Sequence, residues 1–430
     1  MLSMRNIKRM CKTYRWITWL MLIITGGALL SLSSLEPSVH ALGSPNPAQV
    51  TSLANVTQVA GGLQHSLFLK SDGTVYAVGA NGSGQLGDGT TTNRTTAVQV
   101  SGLSNVVEIA AGAAFSLARK SDGTVYAWGD NTYGELGNGT SPSSCSVSYP
   151  SVSYSSTPVQ VNGVSSATGI AAGAWHGVAL ISGGTVKTWG RNTYGQLGNG
   201  AGGDFTENYD TRCSQSASGV TDATQVAAGQ NHSVVLRGNN SGKLKAWGNN
   251  GDGQLGDGTN TLRNTPVTMV IFDDVTFQYL TFTGGIFVSA SANTTAVVNS
   301  GNKVLTTGNN GRGQLGQGCG TISSRNFLNK IGSFSSVLKA VGGSTSEHFI
   351  ALKSDGTLWG WGRNDYGQLG DGSNTDRCPP VAVVDSMGAT ITGFSSPAAG
   401  GLHSLAIKSD AMSIARAWTW GDNTFGQLGR

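Results

Sequence analysis

Charge is scarce in this chain. Asp, Glu, Lys and Arg make up 12% of its 430 residues, against about a quarter in ordinary globular domains. No Ala/Glu/Lys-rich stretch carries apolar residues at helical spacing, which excludes helical bundles and coiled coils. A surplus of cations is missing too. Arg5, Lys8, Arg9, Lys12, Arg15 and the single acid Glu36 precede Leu42; removing those five from 27 basic residues, and Glu36 from 23 acidic ones, leaves 22 of each. A balanced chain lacks the Lys and Arg needed to displace counterions from phosphates, so no nucleic-acid partner is expected. Cysteine is rare as well, five in all, and the spacings match no zinc pattern.

Glycine is plentiful. It accounts for 64 of the 430 residues, about twice its usual share of roughly 7%. Hydrophobic residues at 38% supply enough apolar material for a large core, which excludes general disorder. The length would suit about three domains, but the composition points to a turn-dense all-β chain.

The N-terminus has the layout of an export signal. Five cations end at Arg15, Trp16 to Leu32 run without charge, and Val39-His40-Ala41 offers small residues at a cleavage site. Residues 1–41 are therefore expected to be a secretory signal. The alternative is an uncleaved anchor, since Trp16 to Leu35 is about as long as a bilayer-spanning helix. Either form makes the protein secreted or surface-held, with 42–46 as a linker. The membrane is then met only through that anchor. Export also makes disulfides available to Cys145, Cys213, Cys319 and Cys378.

Residues 47–430 repeat one unit. The segment Trp128-Gly129-Asp130-Asn131-Thr132-Tyr133-Gly134-Glu135-Leu136-Gly137 recurs from Trp189, Trp247, Trp361 and Trp420, with degenerate copies from Val78 and Thr307. The first Gly of each copy falls at 79, 129, 190, 248, 308, 362 and 421, a mean spacing of 57 residues. Each unit holds an Ala/Gly-rich strand, a Gly-x-x-[His/Phe]-Ser turn, an apolar strand, an Asp-Gly hairpin turn such as Asp122-Gly123, a third strand, a Gly-Gln-Leu-Gly bend and a fourth strand such as Pro158-Val159-Gln160-Val161. One four-stranded antiparallel sheet cannot bury both its faces, so seven are expected to stack as a seven-bladed β-propeller. The last copy ends at Gly429-Arg430 without a fourth strand, whereas Pro47-Ala48-Gln49-Val50 precedes the first. That N-terminal strand is expected to complete the last blade. The fifth unit, Phe282 to Gly308, has lost most of the signature and is expected to pack loosely.

The Trp-Gly-x-Asn-x-[Tyr/Phe]-Gly-Gln-Leu-Gly, Ala-Ala-Gly-x-x-His-Ser and Ser-Asp-Gly-Thr signatures resemble repeats of the regulator of chromosome condensation (RCC1) family over nearly all of 47–430. The resemblance implies a seven-bladed propeller. By family analogy alone it also implies a guanine-nucleotide-exchange-like role on a small GTPase.

The motifs that suggest chemistry belong to the repeat. Gly82 to Gly87, Gly251 to Gly256 and Gly311 to Gly316 match Gly-x-Gly-x-x-Gly, but no helical pattern follows them, so they read as bends and no cofactor is expected. His65, His176, His232, His348 and His403 share one repeat position, filled elsewhere by Phe115 and Thr294. Imidazoles on different blades are too far apart to share a metal at about 2.1 Å each, so these read as buried residues satisfying backbone groups. Trp128, Trp189, Trp247, Trp361 and Trp420 read as inter-blade core. Asp88, Asp257 and Asp371 read as turn residues rather than calcium ligands. No Ser/His/Asp set, carboxylate pair or Cys/His dyad stands apart from the repeat, and no metal site or enzyme activity is expected.

Insertions in repeat proteins map to loops that often bind partners. Two long ones, Ser141 to Ser156 and Gly200 to Ser218, come from neighbouring blades and carry Tyr149, Tyr154, Phe205 and Tyr209, the candidate anchors for a partner. The four cysteines outside the N-terminal segment lie in the same loop class, which predicts Cys145–Cys213 and Cys319–Cys378 as staples between adjacent blades. The expected function is thus an exported, monomeric, non-enzymatic scaffold that binds a protein or cell-envelope partner through one face.

Overall fold

In blades 1, 2 and 6 the hairpin between the second and third strands is set by an Asp-Gly turn, Asp72-Gly73, Asp122-Gly123 and Asp355-Gly356. At Lys120–Thr124 the Gly123 N–H donates to the carbonyl of Lys120 at 3.0 Å, and Asp122 Oδ1 accepts from the Thr124 N–H and hydroxyl at 2.9 and 2.6 Å. Gly123 sits at φ +80°, a conformation that disfavours any residue with a Cβ. The computed structural model describes residues 43–139, 154–202, 210–238, 242–318 and 322–430, all within the unit His40–Arg430. Among them every regular element is a β-strand.

The strands form seven antiparallel blades. Blade 1 is Val56–Gly61, His65–Lys70, Val75–Gly79 and Arg94–Gln99. Blade 2 is Val106–Ala111, Phe115–Lys120, Val125–Asp130 and Tyr154–Gln160; blade 3 is Ala167–Ala172, His176–Ile181, Val186–Gly190 and Thr211–Ser216. Blade 4 is Ala223–Ala228, His232–Arg237, Leu244–Gly248 and Arg263–Thr268. Blade 5 has Gly285–Ala290, Thr294–Asn299, Val304–Asn309 and Ser324–Lys330; blade 6 has Val337–Val341, His348–Lys353, Leu358–Gly362 and Arg377–Ala382. Blade 7 combines Phe394–Ala399, His403–Ser409 and Ala415–Gly421 with the N-terminal strand Ser44–Gln49.

Ring closure is as the repeat arithmetic required. Ala48 pairs with Thr419 and Gln49 with Trp418, and Val50 N–H donates to Ala417 C=O at 2.8 Å. The strand starts at Ser44, inside the segment expected to be linker, and Asn46 Nδ2 donates to the carbonyls of Val384 and Asp385 at 3.1 and 2.9 Å.

The core is not one mass but seven clusters, each at a seam between two blades. One joins Leu67, Val75 and Leu86 of blade 1 to Ile109, Ala118 and Trp128 of blade 2. Another joins Leu405, Ile407 and Ala417 of blade 7 to Val56, Val59 and Phe68 of blade 1. Alternating side chains on a strand point to opposite faces, so each blade feeds two different seams. The Gly after each Trp position lets its strand close against the turn before the second strand of the same blade: a Cβ on Gly190 (φ +100°) would lie 2.7 Å from the carbonyl oxygen of Trp175.

Blade 5 does not pack loosely. Val288, Ala296, Val297, Val298, Val304 and Leu305 are buried, and Thr307, standing where five of the blades have Trp, places its hydroxyl 2.9 Å from the carbonyls of Gly253 and Arg325. The room left by the missing indole is filled by Met269 of blade 4, fully buried in the same cluster. At the blade 7–blade 1 seam Val78 replaces Trp, and Phe68 fills the space at a position that is Ala or Val in every other blade. Blade 5 also departs from the four-strand plan. A hairpin between blades 4 and 5, Val270–Asp273 and Gln278–Thr281, adds to its outer edge through a parallel pairing of Ile271 with Leu328.

Candidate functional site

The five repeat histidines are fully buried, and each reaches across a seam rather than to backbone of its own blade. His65 Nε2 lies 3.0 Å from Ser116 Oγ in blade 2, His176 2.9 Å from Ser233, His232 3.0 Å from Thr295, His348 2.8 Å from Ser404 and His403 2.9 Å from Ser66. Each hydroxyl donates onward to the carbonyl of a bend Gln on the histidine's own blade, as Ser116 does to Gln85 and Ser233 to Gln196, both at 2.9 Å. The adjacent indole donates to the same oxygen: Trp128 to Gln85 at 2.9 Å, Trp247 to Gln196 at 2.8 Å and Trp420 to Gln368 at 2.8 Å. Since the hydroxyl's proton goes to the carbonyl, the imidazole donates from Nε2 and is neutral. Among the described residues its Nδ1 finds no hydrogen-bond partner. Burial accordingly pushes His65, His176, His232 and His348 down to about 3, and His403 to about 4.

Where the histidine is missing, so is its hydroxyl. Phe115 in blade 2 faces a seam whose next blade has Gly177 in place of Ser, and Thr294 in blade 5 is followed by Phe349 in blade 6. A Cβ at Gly177 would overlap the Trp189 ring, and Phe349 stacks on Trp361 with centroids 5.4 Å apart. Sequence reasoning identified the imidazole position and missed its partner. The signal was present, because the residue after the histidine position changes one repeat later wherever the histidine itself is lost.

Turn chemistry accounts for Asp88, Asp257 and Asp371. Asp88 Oδ1 accepts from Thr90 N–H at 3.0 Å and the Thr90 hydroxyl at 2.7 Å. The other oxygen pairs with Arg94 at 2.7 Å. Among the described residues no group of three or more His, Cys, Asp or Glu is placed to hold a metal. Glu135 stands where the other blades have Gln. It is fully buried, one oxygen accepts the Tyr133 N–H at 2.8 Å, the other has no partner among the described residues, and burial together with Asp130 holds its carboxyl well above the usual range.

Of the four expected anchors, Tyr154 opens an outer strand and is 49% exposed; Tyr149, Phe205 and Tyr209 lie outside the described residues. Cys213 and Cys378 are each disulfide-bonded, while Cys145, Cys319 and the segment 1–41 lie outside the described residues. The first strands of the blades line a central cavity of about 240 Å³, with walls such as Ile109, Ile170, Val226 and Val288.

The most exposed apolar surface is elsewhere. Four of the twelve exposed large apolar side chains among the described residues fall within the added hairpin: Val275 at 86%, Phe277 at 77%, Tyr279 at 48% and Leu280 at 42%. Phe272, Phe277, Tyr279 and Phe327 form one aromatic cluster with centroids 5.4–6.5 Å apart. Among the described residues the strand Gln278–Thr281 ends the sheet and pairs only on its inner side.

Fold and seams define a closed, seven-bladed repeat propeller. Profiles of the regulator of chromosome condensation (RCC1) repeat match residues 72–119, 122–180, 183–236 and 355–407, and a second profile of that repeat matches 56–85, 106–135, 167–196 and 223–254, together more than half of the chain. The chain belongs to the RCC1 repeat family. It is 34% identical to the ultraviolet-B receptor UVR8 of Arabidopsis thaliana over 265 residues, covering 60% of this chain and 54% of that one. It is 37% identical to the probable E3 ubiquitin-protein ligase HERC3 of Homo sapiens over 377 residues, covering 86% of this chain and 32% of HERC3. The chain thus spans about half of the first relative and a third of the second. Among solved structures it resembles human WBSCR16 (TM-score 0.68, 22% identity, 88% of this chain and 90% of that one) and yeast RCC1 (Prp20) bound to Kap60 (TM-score 0.65, 19% identity, 86% and 82%), a likeness of fold.

One expectation is corrected by these relatives. The lack of a catalytic set in the sequence predicts no enzyme activity, yet HERC3 and HERC4 are named probable E3 ubiquitin-protein ligases and are 36–37% identical over regions covering 76–86% of this chain. Membership of this family therefore does not exclude a role in an enzyme, even though the match covers only 29–32% of those ligases.

Proposed function

We propose that this chain is an exported interaction propeller that captures a partner protein by pairing with the free edge of the blade 5 hairpin. One observation carries the reading. Outer strands are normally protected against pairing by charge or proline, and the other outer strands follow that rule: Arg94, Pro158, Arg212, Arg263 with Pro266, Arg377 with Pro379 and Pro380, and Pro45 with Pro47. Gln278-Tyr279-Leu280-Thr281 has neither, is exposed along its length, and is flanked by Val275 and Phe277. An extended apolar segment laid along this edge would gain backbone hydrogen bonds and bury those side chains. Export is supported by the five cations and uncharged run before Leu42. No observation at the site favours exchange on a GTPase.

The test is selection of a displayed peptide library on the intact chain. Enriched peptides are expected to be uncharged and β-prone, and Thr281→Pro, which removes an N–H facing away from the hairpin's inner strand, should weaken them at least tenfold without lowering the melting temperature. Binding indifferent to Thr281→Pro, or dimerisation through this edge in analytical ultracentrifugation, would overturn it.

A further inference from the structure

Gln317 occupies the bend position that is Asp88, Asp257 and Asp371 in blades 1, 4 and 6. In those blades the carboxylate pairs with an arginine of the outer strand: Asp88–Arg94 at 2.7 Å, Asp257–Arg263 at 2.8 Å and Asp371–Arg377 at 2.7 Å. In blade 5 the matching Arg325 donates from Nε to the neutral amide oxygen of Gln317 at 2.9 Å. The fixed geometry is kept and the neutralising charge is gone. Gln317 is itself held, its Nε2 donating to Asn329 C=O at 2.8 Å and lying 3.0 Å from Thr306 Oγ1.

Arg325 faces a cleft of about 590 Å³ between the outer parts of blades 5 and 6, which Lys330 and Lys353 also line. None of the three forms an ion pair among the described residues. The Lys353 ammonium lies 5.0 Å from the Trp359 ring centroid and 5.7 Å from that of Phe334, aromatic faces that fix a cation without neutralising it. Among the described residues no carboxylate belongs to the cleft wall; Asp274 and Asp355, which act on Arg325 and Lys353, stand outside it. The remaining wall combines flat apolar surface from Trp359, Pro379 and Pro380 with the polar groups of Asn329, Ser333 and Ser335.

We propose that this cleft binds an acidic saccharide, carboxylated or sulfated. Its volume lies in the range of small-ligand sites, about 300–1,000 Å³. A bare anion would use the three cations and leave the apolar plates and hydroxyls without a role. A sugar ring uses all of them: its C–H faces lie on Trp359 and the prolines, its hydroxyls meet the amide and serines, and its acidic group meets Arg325, Lys330 and Lys353. The cleft wall contains no residue of the hairpin, so Thr281→Pro, which spares the hairpin's own ladder, tests the edge without removing a cleft residue.

Calorimetry on the full chain tests this, using a hyaluronan tetrasaccharide, a heparin-derived tetrasaccharide, neutral cellotetraose and inorganic phosphate. At least one acidic tetrasaccharide is expected to bind at 1:1, with cellotetraose and phosphate at least thirtyfold weaker. Gln317→Asp, which restores the ion pair of the other blades, and Lys353→Ala should each weaken binding at least tenfold while the chain still melts cooperatively. Failure of both acidic saccharides to bind overturns the proposal, as does phosphate binding equally well or wild-type affinity in both variants.

Discussion

His403 Nε2 in blade 7 lies 2.9 Å from the hydroxyl of Ser66 in blade 1, 337 residues away along the chain. The same imidazole–hydroxyl link, made between consecutive repeats at four other seams, here joins the last blade to the first. Ser66 passes its proton to the carbonyl of Gln427 at 2.7 Å, so the closing seam is built like the internal ones.

This link predicts coupling across seams. In a double-mutant cycle of His176→Ala and Ser233→Ala, each single change should destabilise the chain, and the pair should cost less than the sum by about 1 kcal/mol. Denaturant unfolding monitored by tryptophan fluorescence measures it. Strict additivity would mean the two side chains act independently.

Acid should unfold this protein unusually early. Burial lowers the five seam histidines to about 3 or 4, whereas in the unfolded chain they titrate near 6.5. Below that value the unfolded state binds more protons, so stability falls as pH drops from about 6.5 toward 4, by about 1.4 kcal/mol per pH unit for each histidine. Replacing His176 by Gln should reduce the slope of stability against pH over that window. An unchanged slope would show that these imidazoles are not the titrating groups.

Glu135 carries the opposite sign. Its carboxyl is raised in the folded state, so the folded chain binds a proton more tightly than the unfolded one and loses stability as pH rises above the ordinary carboxylate value. Glu135→Gln, the residue used by the other six blades, should raise the melting temperature at pH 7 and have little effect near pH 4. Equal effects at both values would contradict the raised carboxyl.

The closing strand should be portable. Deleting residues through Val50 removes the pairing with Ala415–Gly421 and exposes Leu405 and Ala417, lowering the melting temperature by on the order of 10 °C. Moving Ser44–Val50 to follow Arg430 should restore it. Failure of that permuted chain would show that the link at Val50 to blade 1, not the strand pairing, carries the stability.

Disulfide mapping by mass spectrometry without reduction should return Cys145–Cys213 and Cys319–Cys378. Recovery of Cys145–Cys319, or of free thiols, would remove the expected inter-blade staples.

Much of this was open to reading in the residues. Seven in-register copies fixed the blade count, because one sheet cannot bury two faces, and the Pro47–Val50 segment matched the missing fourth strand. The Trp positions were legible because an indole repeated every 57 residues or so has no place outside a seam. The compensations were not legible. Met269 and Phe68 fill space vacated by Thr307 and Val78 from other strands or the neighbouring blade, a volume exchange with no local sequence pattern.

The sequence alone determined topology and closure, since both follow from counting units and from strand periodicity, which are local properties. Only the tertiary structure decided where the molecule offers a surface. The bare edge at Gln278–Thr281 and the cations around Gln317 depend on which charges and prolines end up beside one another. That is set by packing between blades, across distances the linear chain does not encode.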